Sequence, residues 1–458
     1  MVKLSGFAPD LDPTTPNILT EAANCLPTIR GIAGAPTPED TIWILDHPSA
    51  GCATVDILSG STRTFVGQTN YVVEATHAGL SLVGTGWTPG SGRFMFTSFG
   101  NAVLTCNGWD GAALAASTTA AFTGIAGAPK ANIIESVGLF VMAFNTNDGT
   151  DHFADGWWSS ALGDYTSWTP SPSTWAESGR FLDTPGAVMA ARRLGDGIIA
   201  YKRRAMYYGQ FIGSGSIGWQ WSQVATNIGC IGQDAVVNAG GVHYFVGADD
   251  IYIHDGSRPR SIGGAIKRWF FADADPDHLH RVIAVHDRND DHVWFWYSSI
   301  AVAGGVYDGW YDTAIVYNMI TGQWGRVTGL YQDIMAYQGG TDTLSVVGVT
   351  GGYHSIKTLT GACATASLTT SDIGDDDRYS RLQKVRPRFA KSPASATATH
   401  YHKAAAGITY TTGSADTMVD HKFNFGASDR WHKLKIDTVG DFELTQINVQ
   451  ESVTNGIK

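Results

Sequence analysis

The chain has 458 residues and a formal net charge of −11, from 42 acidic and 31 basic side chains. A surface of this sign repels phosphate backbones, so the composition argues against tight non-specific nucleic-acid binding. With 54 Gly, 15 Trp, 17 Tyr and 19 Phe but only 16% charged residues, it favours an all-β protein over a helical one.

The cysteines and the N-terminal residues indicate the cellular compartment in which the protein is made. Five cysteines lie far apart without a C-x-x-C pair, and their odd number prevents complete pairing within the chain, so we expect reduced, mostly buried thiols. Pro9, Asp10 and Asp12 stand where a signal peptide needs an apolar core, and no later run approaches the ~18 apolar residues of a membrane span. We expect a soluble protein made in a cytoplasm and not exported by a cleaved signal.

Residues 1–40 are predicted to form an extended N-terminal arm. Prolines with scattered Thr and Asp oppose regular structure there, apart from one short helix over Ile18–Asn24. A disordered tail is the alternative. The apolar content of the segment is sufficient for it to dock on another surface. The candidate docking residues are Phe7, Pro9, Leu11, Pro16, Ile18, Leu19 and Leu26.

The stretch Gly240–Gly256 predicts the repeating unit of residues 41–362. Val242–Val246 and Ile251–Ile253 are strands, and Ala248–Asp250 reverses the chain between them. A period of about 50 residues, with room for roughly four short strands in each unit, is typical of β-propeller blades. We predict a β-propeller-like body of six to eight blades, with seven preferred, and a set of β-sandwich domains as the alternative. Strand-like openings recur at Ile42, Phe94, Leu139, Ile198, Val242, His292 and Leu344.

After Gly361 the pattern changes, and residues 363–458 are predicted to form a small C-terminal β domain. Residues 363–377 are small and polar and are interpreted as a connector. The strands predicted beyond them are Leu382–Phe389, His400–His402, Ile408–Thr411, Met418–Phe425, Trp431–Asp437 and Phe442–Val449.

No arrangement of side chains in the sequence indicates a reaction. Residues 273–292 hold His278, His280, His286 and His292 among six aspartates, but this spacing is not a zinc pattern. The acidic run Asp372–Asp377 lacks the loop pattern of a calcium site. Asp164 lies in one imperfect turn similar to the Asp-box turns of sialidases, and no carboxylate pair for glycoside hydrolysis is identifiable. We predict no catalytic residue, no cofactor and no metal site.

Lys202, Arg203 and Arg204 form a basic island at a predicted hairpin turn of this acidic chain. Solvated turn charges are the simplest interpretation. The sharper alternative is a local contact with DNA phosphates or with carboxylates of a neighbouring subunit.

Both ends of the chain resemble a known family. F-A-P-D-L-D-P-T-T-P-N-I-L-T-E-A-A-N-C-L-P-T-I-R-G at Phe7–Gly31 resembles the opening of tail proteins of short-tailed bacteriophages. The group to which it is most similar is the tail nozzle proteins, also called tail tubular protein B or packaged-DNA stabilisation protein. D-I-G-D at Asp372–Asp375, the basic strand Lys384–Phe389 and R-W-H-K-L-K-I-D-T-V-G-D-F-E-L-T-Q-I-N-V at Arg430–Val449 are similar to the closing sheet of such proteins.

The resemblance implies a structural protein of the virion, without enzymatic activity, assembled in the host bacterial cytoplasm. Six copies would form a ring that docks through the arm beneath the portal and adaptor rings. The ring would lengthen the tube through which genomic DNA leaves, carry tail fibres or spikes outside, and not insert into a membrane. A wall of the same sign as DNA lets the duplex slide without tight binding.

Two other functions stay open on the sequence. One is a propeller glycosidase that acts on bacterial surface glycans. The other is a lectin-like propeller that binds glycans or proteins through exposed Trp157, Trp158 or Trp310.

Overall fold

The structure is a computed structural model that describes residues 2–454 except 89, 91, 110, 112–113, 119–120, 216, 338–342 and 406. Within these residues the chain is all-β, which confirms the predicted class. It has 41 strands, one α-helix, α1 (Lys267–Asp273), and one 3-10 turn (Leu279–Arg281). No helix in this described part has the length and apolar character of a membrane span.

The N-terminal segment forms five strands, β1 (Val2–Lys3), β2 (Leu19–Ala23), β3 (Cys25–Pro27), β4 (Ile32–Gly34) and β5 (Thr37–Leu45). The prediction of a helix over Ile18–Asn24 was wrong, because β2 pairs with residues 367–370 and this distant pairing overrides a weak local preference. The predicted division after residue 40 falls inside β5.

Seven antiparallel units of four strands follow, named sheets 1 to 7. Sheet 1 is β6 (Cys52–Asp56), β7 (Thr62–Gly67), β8 (Tyr71–Thr76) and β9 (Gly79–Thr85). Sheet 2 is β10 (Met95–Phe99), β11 (Ala102–Cys106), β12 (Ala115–Ser117) and β13 (Thr123–Gly124). Sheet 3 is β14 (Lys130–Val137), β15 (Phe140–Asn147), β16 (His152–Ser159) and β17 (Glu177–Arg180). Sheet 4 is β18 (Val188–Leu194), β19 (Gly197–Lys202), β20 (Ala205–Ser214) and β21 (Ile217–Thr226).

Sheet 5 is β22 (Val236–Ala239), β23 (Val242–Val246), β24 (Ile251–His254) and β25 (Arg260–Ser261). Sheet 6 is β26 (Ile283–Asp287), β27 (His292–Tyr297), β28 (Tyr311–Asn318) and β29 (Trp324–Tyr331). Sheet 7 is β30 (Asp333–Tyr337), β31 (Thr343–Thr350) and β32 (Tyr353–Gly361), and its fourth strand is β5 from the N-terminal segment.

The first strands of the seven sheets contact one another in cyclic order. β6, β10, β14, β18, β22, β26 and β30 are neighbours in that sequence, and β30 contacts β6. Apolar clusters fill the space between adjacent sheets: Met335 of sheet 7 packs in one cluster with Val66 of sheet 1, and Phe65 of sheet 1 in another with Val103 of sheet 2. Inner strands such as β19 and β27 are therefore covered on both faces and buried along their whole length.

The hairpins of sheet 5 form where the sequence predicts them. Val246 pairs with Ile251 around the predicted reversal at 248–250. Ala239 pairs with Val242 across a two-residue turn, in which Gly240 and Gly241 have φ values of 61° and 84°. Two consecutive residues with positive φ are the requirement of a type I′ hairpin turn, which glycine meets without strain.

Nine strands follow sheet 7: β33 (Thr365–Thr370), β34 (Ile373–Gly374), β35 (Tyr379–Lys391), β36 (Ser395–Lys403), β37 (Thr411–Thr417), β38 (Phe423–Asn424), β39 (Ser428–Asp429), β40 (Trp431–Val439) and β41 (Glu443–Thr454). The predicted connector over 363–377 therefore contains two strands, and β33 is held between β2 and β40 by its pairing and by buried Leu368. The strands predicted at Ile408–Thr411 and Met418–Phe425 are largely loop.

The N-terminal strands are part of the C-terminal sheets. One sheet runs β29-β3-β4-β41-β35-β38, so β3 and β4 join sheet 6 to the last strand of the chain. The other runs β2-β33-β40-β36-β37. Leu19 of β2, Leu434 of β40 and Leu444 of β41 belong to one buried cluster that extends to Phe245 of sheet 5. The arm, the C-terminal sheets and sheets 4 to 6 thus share a core.

Candidate functional site

Ion pairs connect charged side chains from five of the sheets into one group, here called the central charge cluster: Arg93, Glu135, Arg192, Asp234 and Asp333. Arg93 and Asp234 lie just before the first strands of sheets 2 and 5, and Asp333 begins β30 of sheet 7. Glu135 and Arg192 lie on the first strands of sheets 3 and 4. Because the first strands contact one another in cyclic order, side chains from five sheets meet in this cluster.

Arg93 bridges the cluster. Its Nε donates to Oδ2 of Asp234 at 2.5 Å, and its Nη2 donates to Oδ1 of Asp333. Asp333 is fully buried and also accepts hydrogen bonds from Ser49 Oγ (2.6 Å) and from the Ile334 backbone amide (2.9 Å). The second oxygen of Asp234 accepts from Arg192 Nη2 at 3.3 Å. Every carboxylate oxygen of Asp234 and Asp333 therefore has a donor.

Burial and charge pairing act in opposite directions on the pKa values of this cluster. Burial alone would lower the pKa of Arg93, but Asp333 and Asp234 raise it well above its ordinary value. Burial raises the pKa of Glu135, and Arg192, 4.0 Å away, opposes that rise. Asp234 and Asp333 are both hydrogen-bonded to guanidinium groups, an arrangement typical of charge-assisted ion pairs. The arrangement suits a structural ion network better than acid–base chemistry.

Two clefts, of about 300 and 500 Å³, adjoin the cluster, and Arg93 and Asp234 line both. The smaller one is lined also by Cys52, Thr54 and Met335. The same ion pair therefore contributes to the walls of both clefts.

Of the seven predicted docking residues, four are buried within the chain: Phe7, Ile18, Leu19 and Leu26. Phe7 packs edge-on against Trp269 of α1, with ring centroids 5.0 Å apart. The arm is fixed further by Asp10, whose carboxylate accepts from the backbone amides of residues 268 and 269 at the start of α1. Only the other three, Pro9, Leu11 and Pro16, are exposed or half-buried and available to a partner.

The basic island at residues 202–204 likewise contains both buried and exposed side chains. Lys202 is buried, and its Nζ donates to the carbonyl oxygens of Phe181 (2.7 Å) and Thr184 (2.6 Å). Burial lowers the pKa of Lys202. The prediction of a DNA or subunit contact is therefore wrong for Lys202, whose ammonium group is enclosed by its own chain. Arg203 and Arg204 are exposed in the β19–β20 turn and keep that prediction.

The histidine-rich stretch contains two groups with the donor atoms of a metal site. In the first, His278 Nδ1 is already hydrogen-bonded to Asp275 at 2.7 Å and lies 3.6 Å from Asp308. In the second, Asp287 and His292 face each other across the β26–β27 hairpin, and Asp290 lies in its turn. Burial, and after it the charge of Asp290, raises the pKa of Asp287.

The other acidic motifs have structural roles. Asp164 accepts hydrogen bonds from the amide (2.8 Å) and hydroxyl (2.6 Å) of Thr166, and these bonds lower its pKa. In the run 372–377, Asp372 is buried and forms an ion pair with Lys403 at 2.8 Å. Asp376 accepts from the indole of Trp431 at 2.7 Å. These contacts stabilise turns and the C-terminal sheets.

The tryptophans considered for glycan binding do not share one surface. Trp157 is buried in the core of sheets 2 to 4, 5.4 Å from Trp221 between ring centroids. Trp158 is half-buried against the same core, and half-buried Trp310 packs on Tyr307 with centroids 5.0 Å apart. Packing between sheets argues against the interpretation of Trp157 as an exposed binding residue.

Sequence reasoning missed the central charge cluster. Arg93 is separated from Asp234 by 141 positions and from Asp333 by 240. Arg93, Asp234 and Asp333 are single charges at or just before the start of a strand, whereas Glu135 and Arg192 lie within β14 and β18. The usable signal is the position of Arg93, Asp234 and Asp333 at the start of a sheet's first strand. This signal becomes visible only when the cyclic order of the sheets is known.

No protein-family model matches the chain, and no curated protein matches it in sequence. Among solved structures, the extracellular domain of a protein described as a hybrid two-component system of B. thetaiotaomicron matches with a TM-score of 0.43 and 8% identity. That match covers 86% of this chain and 47% of the other, about half its length. Kluyveromyces lactis Hsv2 matches with a TM-score of 0.38 and 11% identity, over 72% of this chain and 95% of the other.

Proposed function

We propose that this chain is a structural protein of the virion, the tail nozzle of a short-tailed bacteriophage, and that its seven sheets are the blades of a β-propeller. The cyclic contacts of the seven first strands support the propeller. The N-terminal strand β5, which completes the sheet of β30–β32, is the kind of closure that holds a ring of sheets together. The resemblance of Phe7–Gly31 and Arg430–Val449 to nozzle proteins supports the assignment to the tail.

The observation that carries a mechanical function is the pairing of the central charges. In a glycosidase, two carboxyl groups must flank the scissile bond, and one of them must donate a proton. In this chain, the two aspartates nearest the centre are both bonded to Arg93. A rigid ion network that spans opposite sheets suits a body that transmits force and keeps its shape.

In this proposal, six copies form a ring beneath the portal and adaptor rings, and DNA passes along the axis of the hexamer. In this proposal the duplex does not pass through a single chain, in which Arg93 is held between Asp234 and Asp333. The net charge of −11 repels the phosphates, so genomic DNA slides through the lumen without tight binding. Fibres or spikes attach to the outer surface of the ring.

The adaptor contact is assigned to the exposed part of the arm, Pro9, Leu11 and Pro16. Deletion of residues 1–31 is not a clean test of this contact, because it removes β1, β2 and β3 from the C-terminal sheets. The substitution Leu11→Asp is cleaner, since Leu11 is 39% exposed. Leu162→Asp is its matched control, at 43% exposure in a loop of sheet 3.

Electron microscopy of negatively stained samples tests the proposal. We expect six-fold rings of the purified chain at high concentration, and wild-type and Leu162→Asp chains that join tails in a complementation assay. Leu11→Asp should give folded protein that stays out of particles. Single bodies at every concentration, together with absence of the chain from particles, would contradict the nozzle function. Sustained turnover of host polysaccharide by the purified protein would favour the glycosidase instead.

A further inference from the structure

The hairpin that joins β26 to β27 brings three metal-ligating side chains together. Asp287 ends β26, His292 begins β27 directly opposite, and Asp290 lies in the turn between them. One carboxylate oxygen of each aspartate and one ring nitrogen of His292 all lie within 4.8 Å of one another. A single cation bound by all three groups at about 2.0–2.2 Å requires these atoms to lie closer together than that limit, which small side-chain rotations provide.

His292 is prepared as a ligand by the N-terminal segment. Its Nε2 lies 2.7 Å from the carbonyl oxygen of Pro27, and the side chain is 2% exposed. A carbonyl oxygen only accepts hydrogen bonds, so Nε2 carries the hydrogen and Nδ1 holds the lone pair. Nδ1 is buried and has no hydrogen-bond partner. A histidine oriented through its other nitrogen by a backbone carbonyl is the usual arrangement at metal sites.

The two carboxylates have no cationic side chain to neutralise them. Neither Asp287 nor Asp290 forms a salt bridge within the described part of the chain, and Asp287 accepts only hydrogen bonds from the turn itself, such as that of the Asn289 amide at 3.1 Å. Two adjacent carboxylates beside an unpartnered imidazole nitrogen form a site with unbalanced negative charge. A divalent cation removes that imbalance and gives Nδ1 a partner.

A cleft beside the hairpin turn gives an ion access to the site. Asp290 and His292 line a cleft of about 890 Å³ between sheet 6, the N-terminal strands and the C-terminal sheets. The basic side chains of this cleft, Arg30 and Lys391, are already engaged with Glu443 (3.9 Å) and Asp441 (2.8 Å). Asp290 is exposed, so an ion can reach the site without opening the fold.

We propose that Asp287, Asp290 and Nδ1 of His292 bind a divalent transition-metal ion of the Zn²⁺ class. An imidazole ligand favours such metals over Ca²⁺ and Mg²⁺, which prefer oxygen ligands alone. Three protein ligands leave further coordination positions for water. Because the Pro27 carbonyl of β3 orients His292, the ion also strengthens the connection between the N-terminal strands and sheet 6.

Isothermal titration calorimetry of the chelator-treated full chain with ZnCl₂ tests the site. We expect one Zn²⁺ per chain with the wild type and an affinity at least about tenfold lower for Asp290→Asn, which removes an exposed ligand and leaves the fold intact. Asp291→Asn is the matched control: it lies in the same turn and loses the same charge but is outside the ligand set, so it should bind as the wild type does. Asp308→Asn, in the other histidine group, should also bind normally.

The result that would overturn the proposal is a wild type that binds no Zn²⁺, or an Asp290→Asn variant that binds as well as Asp291→Asn. Competition with Ca²⁺ adds a test of the imidazole that does not need a His292 variant, whose burial puts folding at risk. We expect a large excess of Ca²⁺ to leave Zn²⁺ bound. Displacement by Ca²⁺ would mean a site made of oxygen atoms alone and would contradict ligation by His292.

Discussion

Replacement of Arg93 by methionine is expected to destabilise the chain strongly, because it leaves a buried charge without its partner. Asp333 is fully buried, and among the described residues its other hydrogen-bond donors, such as the Ser49 hydroxyl and the amide of Ile334, carry no charge. Loss of one partner of a buried ion pair costs about 3–5 kcal/mol. Arg93 is 22% exposed, so water reaches part of the site and we expect about 3 kcal/mol, the lower end of that range.

Urea unfolding followed by tryptophan fluorescence measures this loss, and Arg180→Met is the control. Arg180 forms a two-pronged ion pair with Asp155 at 2.8 and 3.1 Å, but its side chain is 45% exposed. An exposed pair of this kind contributes about 0–1 kcal/mol. If Arg93→Met costs no more than Arg180→Met, the central charge cluster does not hold the sheets together.

A double-mutant cycle separates the ion pair from the packing of the arginine. Asp333→Asn keeps the shape of the side chain and removes its charge. In the double mutant, the loss of Arg93 therefore leaves no buried carboxylate without a partner. We expect Arg93→Met with Asp333→Asn to cost less than the sum of the single substitutions, with a coupling of about 1–3 kcal/mol. Strict additivity would refute the reasoning, since it would mean that the two side chains do not interact.

Two further outcomes are expected. Burial lowers the pKa of His243 and of His400 to about 4. The unfolded chain therefore takes up protons first as the pH falls, so their stabilisation is fully present above about pH 6.5 and is lost towards pH 4, at up to about 1.4 kcal/mol per pH unit for each histidine. Unfolding free energies across this window should show the slope, which His243→Gln reduces and His77→Asn, at an exposed turn, leaves unchanged. Lys202→Met should lower the free energy of unfolding, measured by thermal unfolding, by about 2–4 kcal/mol, because two carbonyl groups lose their donor. Arg204→Met should change it by no more than about 0.5 kcal/mol. Weaker DNA binding by Lys202→Met at unchanged stability would contradict the structural role of Lys202.

Strands whose signal is local were predictable from the sequence. Val242–Val246 and Ile251–His254 combine apolar runs with glycine and aspartate turns, and those residues specify a hairpin without reference to the rest of the chain. β27 was equally clear because a β-branched residue and four aromatic residues follow His292 without interruption.

Elements that depend on distant partners were not predictable. Leu19–Ala23 and Thr365–Thr370 are short and carry little local preference; each is a strand because it pairs with the other, some 350 residues away. The apolar side chains of Phe7 and Leu26 indicated burial correctly, but apolarity does not identify the surface that buries a residue. The surface is the chain's own core, and the sequence alone could not distinguish it from another protein.

The pairing of β5 with β32 has a consequence for synthesis on the ribosome. The Thr37 hydroxyl donates to the carbonyl of Ala362, 325 positions later. At a translation rate of about 5–20 residues per second, β32 is synthesised roughly 15–65 s after β5, and β5 has no partner strand during that time. During that interval β5 exposes an open edge with Ile42 and Ile44 on it, so nascent chains at high density are at risk of pairing with one another. The late pairing of β5 with β32 therefore makes the yield of native protein depend on translation speed and on chaperones that cover that edge.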